Sequence, residues 1–251
     1  MEPADTHNRR DEGIRLMAFL TRWQDDTSRP TAKEAGRDLA VRALAPVVLW
    51  WLAVLAMGWL VTDGPLKDLG TSEDKVSRSL ESSRTELWDA VTLVFSWVGA
   101  TVSIIGVCLV VVVLVWRRTK QWWYAVVPLI AISLQAMVFF FTTLLIDRER
   151  PDVERLDGSP PTSSFPSGHA GAAAALYFTL ALLALRIANP LLRRVVFGAC
   201  VAMPLLVATA RLYRGMHHVS DVLVAIVNGL VAAILAWCWL RRDVPESQTR
   251  A

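Results

Sequence analysis

Three stretches of this chain, at about 43–62, 91–116 and 122–146, are long, apolar and free of any charged residue. A run of that kind cannot be the seam of a soluble amphipathic helix or the alternating face of a strand; at close to 20 residues it has the length of a bilayer crossing. Three further apolar runs follow at about 169–188, 193–210 and 219–240, giving six candidate spans. The fifth is the weakest, being short and interrupted by Pro204. The expectation is an all-α, six-span transmembrane helical bundle over 43–240. It is flanked by a cytoplasmic N-terminal segment, 1–42, and a cytoplasmic tail, 241–251. A mean hydropathy of +0.39 agrees with this and excludes both a soluble enzyme and a disordered chain.

A net charge of +3 would otherwise point to nucleic acid, but the basic residues form no single patch. They sit in short loops instead. Arg117, Arg118 and Lys120 separate spans two and three, Arg186, Arg193 and Arg194 separate four and five, and Arg241 and Arg242 follow span six. All three groups fall on one side, which the positive-inside bias makes cytoplasmic. Trp116, Trp122, Trp123, Trp237 and Trp239 form an aromatic belt at that side, so both termini are expected inside and the loops 63–90, 147–168 and 211–218 outside. No signal peptide is visible, and the first span is expected to act as an uncleaved signal. Ile14 to Trp23 reads either as a surface-lying amphipathic helix or as a tail. Thr31 followed by Glu34 has the form of a capping box that opens a helix into span one. Cys108, Cys200 and Cys238 lie in apolar runs without metal or disulfide spacing.

The outer loops differ in kind. Asp63 to Asp89 mixes acids and bases and reads as a solvated helix on the outer surface, with no chemistry of its own. The other two concentrate ionisable residues at a membrane boundary, where they are costly unless they function or pair. One contains Arg148, Arg150 and Pro151, then Pro166-Ser167-Gly168-His169; the other contains Arg211, Tyr213, Arg214, His217, His218 and Asp221. Arginine forks match phosphate oxygens. The N–H groups of Ser167 and Gly168, ahead of a helix, can meet the same anion. His217 and Asp221 stand four apart, a spacing that lets an acid fix an imidazole tautomer and leave the other nitrogen to attack. His169 is then placed to protonate a leaving oxygen. The parts describe phosphoryl transfer.

Arg150-Pro151, Pro166-Ser167-Gly168-His169 and Arg-x5-His-x3-Asp over 211–221 resemble, in order and spacing, the motifs of the type 2 phosphatidic acid phosphatase (PAP2) superfamily. The resemblance implies a bacterial membrane lipid-phosphate phosphatase that needs no cofactor or metal. It makes His217 the nucleophile of a phosphohistidine, Asp221 its orienting acid and His169 the general acid. Arg150, Ser167, Gly168 and Arg211 match the phosphate-binding set; Arg148, Arg214 and Tyr213 are additional candidate contacts, and His218 reads as a bystander. Two positions depart from the pattern: Thr143 stands where the family has Lys, and Ala210 where it has Ser before Arg211. The implied substrate is a lipid phosphate within the bilayer: a polyprenyl diphosphate, phosphatidic acid or phosphatidylglycerol phosphate. A phosphotransferase with another acceptor remains open. A vanadium-dependent haloperoxidase shares the anion site but not the six spans. A non-catalytic lipid-binding or transport protein has only Thr143 in its favour, against an intact His169, His217 and Asp221.

Overall fold

The computed structural model describes residues 19–20, 29–158 and 162–240, which fold into helices and connecting loops with no strand among them. The first helix described over its whole length, α1, runs over Ala32–Thr62. It opens as the sequence predicts: the Thr31 side chain accepts from Glu34 N–H while the Glu34 carboxylate accepts from Thr31 N–H. Pro46 lies early in its apolar part, and a π-helical turn at Ala40–Leu44 precedes it, with Ala45 N–H reaching back to Ala40 O. A proline without N–H disturbs the regular ladder, and the wider turn absorbs it.

Two helices follow: α2, Leu69–Ser82, outside the apolar runs, and α3, Glu86–Val98, which takes in the start of the run 91–116. Next come α4, Thr101–Thr119, then a single turn at Trp122–Ala125, and α5, Val127–Thr143. The bundle closes with α6, Gly168–Ala184, α7, Pro190–Tyr213, and α8, Val219–Trp239. Of these, α1, α4, α7 and α8 are long and apolar enough to cross a membrane, and α5 and α6 are shorter apolar helices of 17 residues each. Their outward faces carry bare apolar side chains, among them Leu49, Val102, Val110, Leu114, Leu191 and Val195. So wide an uncovered apolar surface suits lipid rather than water.

Two expectations about the spans are corrected. The run 91–116 is broken at Gly99–Ala100, with α3 ending at Val98 and α4 starting at Thr101. At Gly99 the chain approaches α6 and α7 so closely that a Cβ would stand 2.6 Å from Val207 and 3.4 Å from His169. The fifth run, 193–210, is longer than expected at 24 residues: Asn189 caps it through Leu191 and Leu192 N–H, Pro190 occupies its first turn, and Pro204 is accommodated inside it. The amphipathic stretch 14–23, apart from Phe19 and Leu20, and Arg241–Arg242 lie outside the described residues.

The core is α6, packed against α8, α7 and α5. Small residues allow the close approach. A Cβ on Gly229 of α8 would fall 2.4 Å from Ala174 Cβ of α6, and one on Gly171 would fall 2.5 Å from Gln135 Nε2 of α5. At one end of this bundle Trp122 packs on Trp239, Tyr124 on Trp237, and the Arg186 guanidinium lies 4.7 Å above the Tyr124 ring. The end of α5, the starts of α6 and α8 and the end of α7 meet at the opposite pole, and the ionisable residues gather there.

Candidate active site

Two loops and four helix ends build the site. Ser167 caps α6 by accepting from Ala170 N–H, so His169 stands in the first helical turn. After α7 the chain turns through Gly215, whose φ of +70° favours glycine, and whose Cβ position lies 2.7 Å from Glu154 O. That turn delivers His217 to the start of α8.

His217 is buried, and its Nδ1 donates to the Ser164 carbonyl at 2.8 Å. A carbonyl only accepts, so the proton sits on Nδ1 and Nε2 is the bare nucleophilic nitrogen. Asp221 Oδ2 lies 3.8 Å from Nδ1, beyond hydrogen-bond reach. The sequence expectation of a direct Asp–His hydrogen bond is thereby corrected: the backbone of Ser164 fixes the tautomer, and the carboxylate acts on the ring by charge. Asp221 Oδ2 itself accepts from Ser164 Oγ at 2.5 Å and His218 N–H at 2.8 Å, while Oδ1 accepts from Arg148 at 2.5 Å. His218, read as a bystander, thus holds the acid through its backbone. Burial, with the nearby Arg211 and Arg150 charges, holds the His217 imidazole below its ordinary pKa despite Asp221.

A cavity of about 590 Å³ opens at this point, within the range of small-molecule sites. Its polar end is lined by Arg150, Gly168, His169, Arg211 and His217; its apolar arm runs between α4, α5 and α6 past Ile104, Cys108, Ile132 and Phe139. Arg150 is anchored by donating to Met216 O at 2.7 Å, and burial lowers its pKa from the usual guanidinium value. Arg211 donates to Ser96 Oγ at 2.7 Å and to Asp157 Oδ2, and its buried Nε–H has no acceptor among the described residues. Gly168 and His169 begin α6, so their N–H groups have no intrahelical acceptor. Ser167 differs: its N–H is donated to Asp221 O at 3.2 Å, which ties α6 to α8 and leaves Gly168 on the cavity wall.

Arg148, Arg214 and Tyr213 do not line this cavity. Arg148 is buried between Asp221 and Glu73. Arg214 grips Asp157 Oδ1 through Nε at 2.8 Å and Nη2 at 2.7 Å, and reaches Leu156 O and Thr92. The Tyr213 hydroxyl donates to Asp89 and accepts from Thr85 N–H. Thr143 lies on a second, more open cavity of about 1070 Å³, shared with Arg150 and Arg155.

The sequence reading missed Ser164, Asp157, Ser96 and Glu73. Burial pushes the Asp157 carboxyl up, but hydrogen bonds from Arg214 and Ser96 and the charges of Arg211 and Arg214 outweigh it and leave the pKa below the usual carboxylate value. Charge parity was the available signal: arginines buried at a membrane boundary require acids, and the loops supply them. Helix α2, expected to carry no chemistry, provides Glu73 to these networks, and α3, whose later residues were read as the start of the second span, provides Thr92 and Ser96.

Residues 123–245 match the family model described as the PAP2 superfamily. That stretch belongs to the PAP2 superfamily. The fold of the chain resembles two solved structures. One is a transmembrane PAP2-type phosphatidylglycerolphosphate phosphatase from Bacillus subtilis, 22% identical over 76% of this chain and 92% of that one, with a TM-score of 0.65. The other is LpxE of Aquifex aeolicus, 20% identical over 64% of this chain and 92% of that one, with a TM-score of 0.52. A comparison with curated proteins finds no match. The PAP2 fold, together with the apolar helices and their exposed faces, makes this a multi-pass membrane protein.

Proposed function

We propose that the protein is a lipid phosphatase that removes a terminal phosphate through a phosphohistidine on His217, without a metal ion, on the outer membrane face. The observation that carries this reading is the shape of one cavity: two arginines and two histidines at its polar end, and an apolar arm between helices that would hold an acyl or prenyl chain.

The phosphate sits between Arg150, Arg211 and the first N–H groups of α6. His217 Nε2 attacks phosphorus; the N–P bond forms as the bond to the lipid oxygen breaks, and protonated His169 gives its proton to that oxygen. Neutral His169 then takes a proton from water, whose oxygen attacks phosphorus and breaks the N–P bond, releasing inorganic phosphate. Positive charge grows on His217 during the first step, and the Asp221 carboxylate at 3.8 Å stabilises it. Six membrane crossings, with α5 and α6 as the short ones and the arginine-rich loops 117–120 and 186–194 inside, would place the site outside.

Phosphate release by detergent-purified protein, with EDTA present, tests the proposal on phosphatidic acid, phosphatidylglycerol phosphate and a polyprenyl diphosphate. Release from at least one lipid, abolished in His217→Ala and in His169→Ala, is expected. Full activity in a folded His217→Ala protein refutes the mechanism. Transfer of the phosphoryl group to an added alcohol in place of release would identify a phosphotransferase.

A further inference from the structure

Arg148 makes two buried ion pairs, and it does not line the cavity that holds His217. Its Nη1 donates to Asp221 Oδ1 at 2.5 Å and to Ser220 Oγ at 2.7 Å; its Nη2 donates to Glu73 Oε2 at 2.7 Å. Glu73 comes from α2, outside the motif-bearing helices, and is 6% exposed. Its Oε1 accepts from Ser220 N–H at 2.6 Å and its Oε2 from Ser220 Oγ at 3.1 Å, so one carboxylate holds both the arginine and the first turn of α8. The next residue, Asp74, lies 3.4 Å from His218 Nε2 on the same turn.

We propose that Glu73 is a positioning residue for phosphoryl transfer, acting on Asp221 through Arg148; this rests on the phosphatase reading above. The reason is charge balance. Asp221 is wholly buried, and an uncompensated arginine beside it would cancel its charge. With Glu73 on the far side of Arg148, the buried trio carries one net negative charge, available to the cation that develops on His217. Without Glu73 the pair is neutral toward His217, and the transition state loses stabilisation that the ground state never used. Glu73 also fixes the end of α8 that carries Asp221, so the acid keeps its distance from the ring.

The test uses the full-length purified protein and phosphatidic acid. Glu73→Gln should lower kcat on the order of tenfold or more while KM stays within about twofold, the pattern of an interaction felt only in the transition state. Vanadate, which takes up the five-coordinate geometry of the transfer, should inhibit this variant more weakly by a similar factor, with inhibition by inorganic phosphate unchanged. Ser77→Ala, on the same buried side of α2, should match wild type in all these readouts. Thermal unfolding checks that the variants are folded. If Glu73→Gln does not fold, Glu73→Asp, which keeps the charge on a shorter arm, should show an intermediate kcat at unchanged KM. A folded Glu73→Gln protein with wild-type kcat and vanadate inhibition overturns the inference alone. A wild-type protein that releases no phosphate and is blind to vanadate overturns the phosphatase reading and this inference with it.

Discussion

Replacing Gly229 by alanine adds one methyl group at the tightest crossing in the molecule. The new Cβ would lie 2.4 Å from Ala174 Cβ, 2.6 Å from Ala175 N and 2.6 Å from Gly171 O. Unbonded carbons rest about 3.5–4.0 Å apart, so α8 must move from α6 by roughly 1 Å. Two of the three obstacles are backbone atoms, which leaves no side chain to rotate aside. Overpacking of this kind costs about 1–3 kcal/mol. For a protein of this length each kcal/mol is worth about 2–4 °C, so Tm should fall by roughly 2–12 °C. Asp221 lies eight residues up the same helix, about 12 Å away, and α6 carries His169, so the displacement reaches the site. A misplacement near 1 Å can cost on the order of 10²-fold in rate, and phosphate release should drop more than stability alone predicts. The assay is thermal unfolding in detergent beside phosphate release. Gly198→Ala in α7 is the control, because its Cβ meets nothing within 4 Å and alanine favours helix. A Gly229→Ala protein as stable and active as Gly198→Ala would refute the packing argument.

Four further outcomes follow from the site. Burial lowers the His217 pKa, so the nucleophile stays neutral below the ordinary imidazole range, and the acid limb of kcat/KM assigned to it should fall below pH ~6.5; a limb that disappears in no variant but lies above that value refutes the assignment. The unfolded chain binds the His217 proton more readily than the folded one, so this group makes stability decline as pH drops through that same range, which pH-dependent unfolding can check. Asp157→Asn removes the carboxylate that competes for Arg211, and inorganic phosphate should then inhibit at lower concentration; weaker inhibition would show that Asp157 helps to hold the anion. Thr143→Lys places a cation on the outer cavity beside Arg150 and should tighten inhibition by phosphate or vanadate, whereas no change would mean that position 143 does not act on the site.

The helices were legible wherever one short-range rule governs them. Thr31 and Glu34 announce the start of α1 because a capping box is complete within four residues. The pole of arginines and histidines was legible because such side chains do not collect at a membrane edge without cause. The break at Gly99 was not, since nothing in a run of apolar residues marks where the chain is pressed against His169 and Val207; that is decided by helices distant in sequence. The same holds for Glu73 and Ser96. In sequence Glu73 reads as an ordinary residue of a solvated helix and Ser96 as one small residue of an apolar span, and their burial depends on Arg148 and Arg211, 75 and 115 positions further on. The direct Asp221–His217 bond was the natural guess from an i, i+4 spacing, and it failed because Ser164 inserts its carbonyl and hydroxyl between the two.

The stretch that matches the family model starts at residue 123, yet the counter-charge for Arg148 and the hydroxyl that steadies Arg211 arrive from residues 73 and 96. The motifs therefore form only part of the machine. A fragment confined to the matching stretch would enclose guanidinium groups with too few acids to neutralise them. Grafting these motifs onto another helical scaffold would meet the same difficulty unless α2 and α3 travelled with them. Conversely, α2 and α3 supplied as a separate polypeptide should restore a protein that lacks them, because what they contribute is a set of hydrogen-bond acceptors at fixed positions and not a continuous chain.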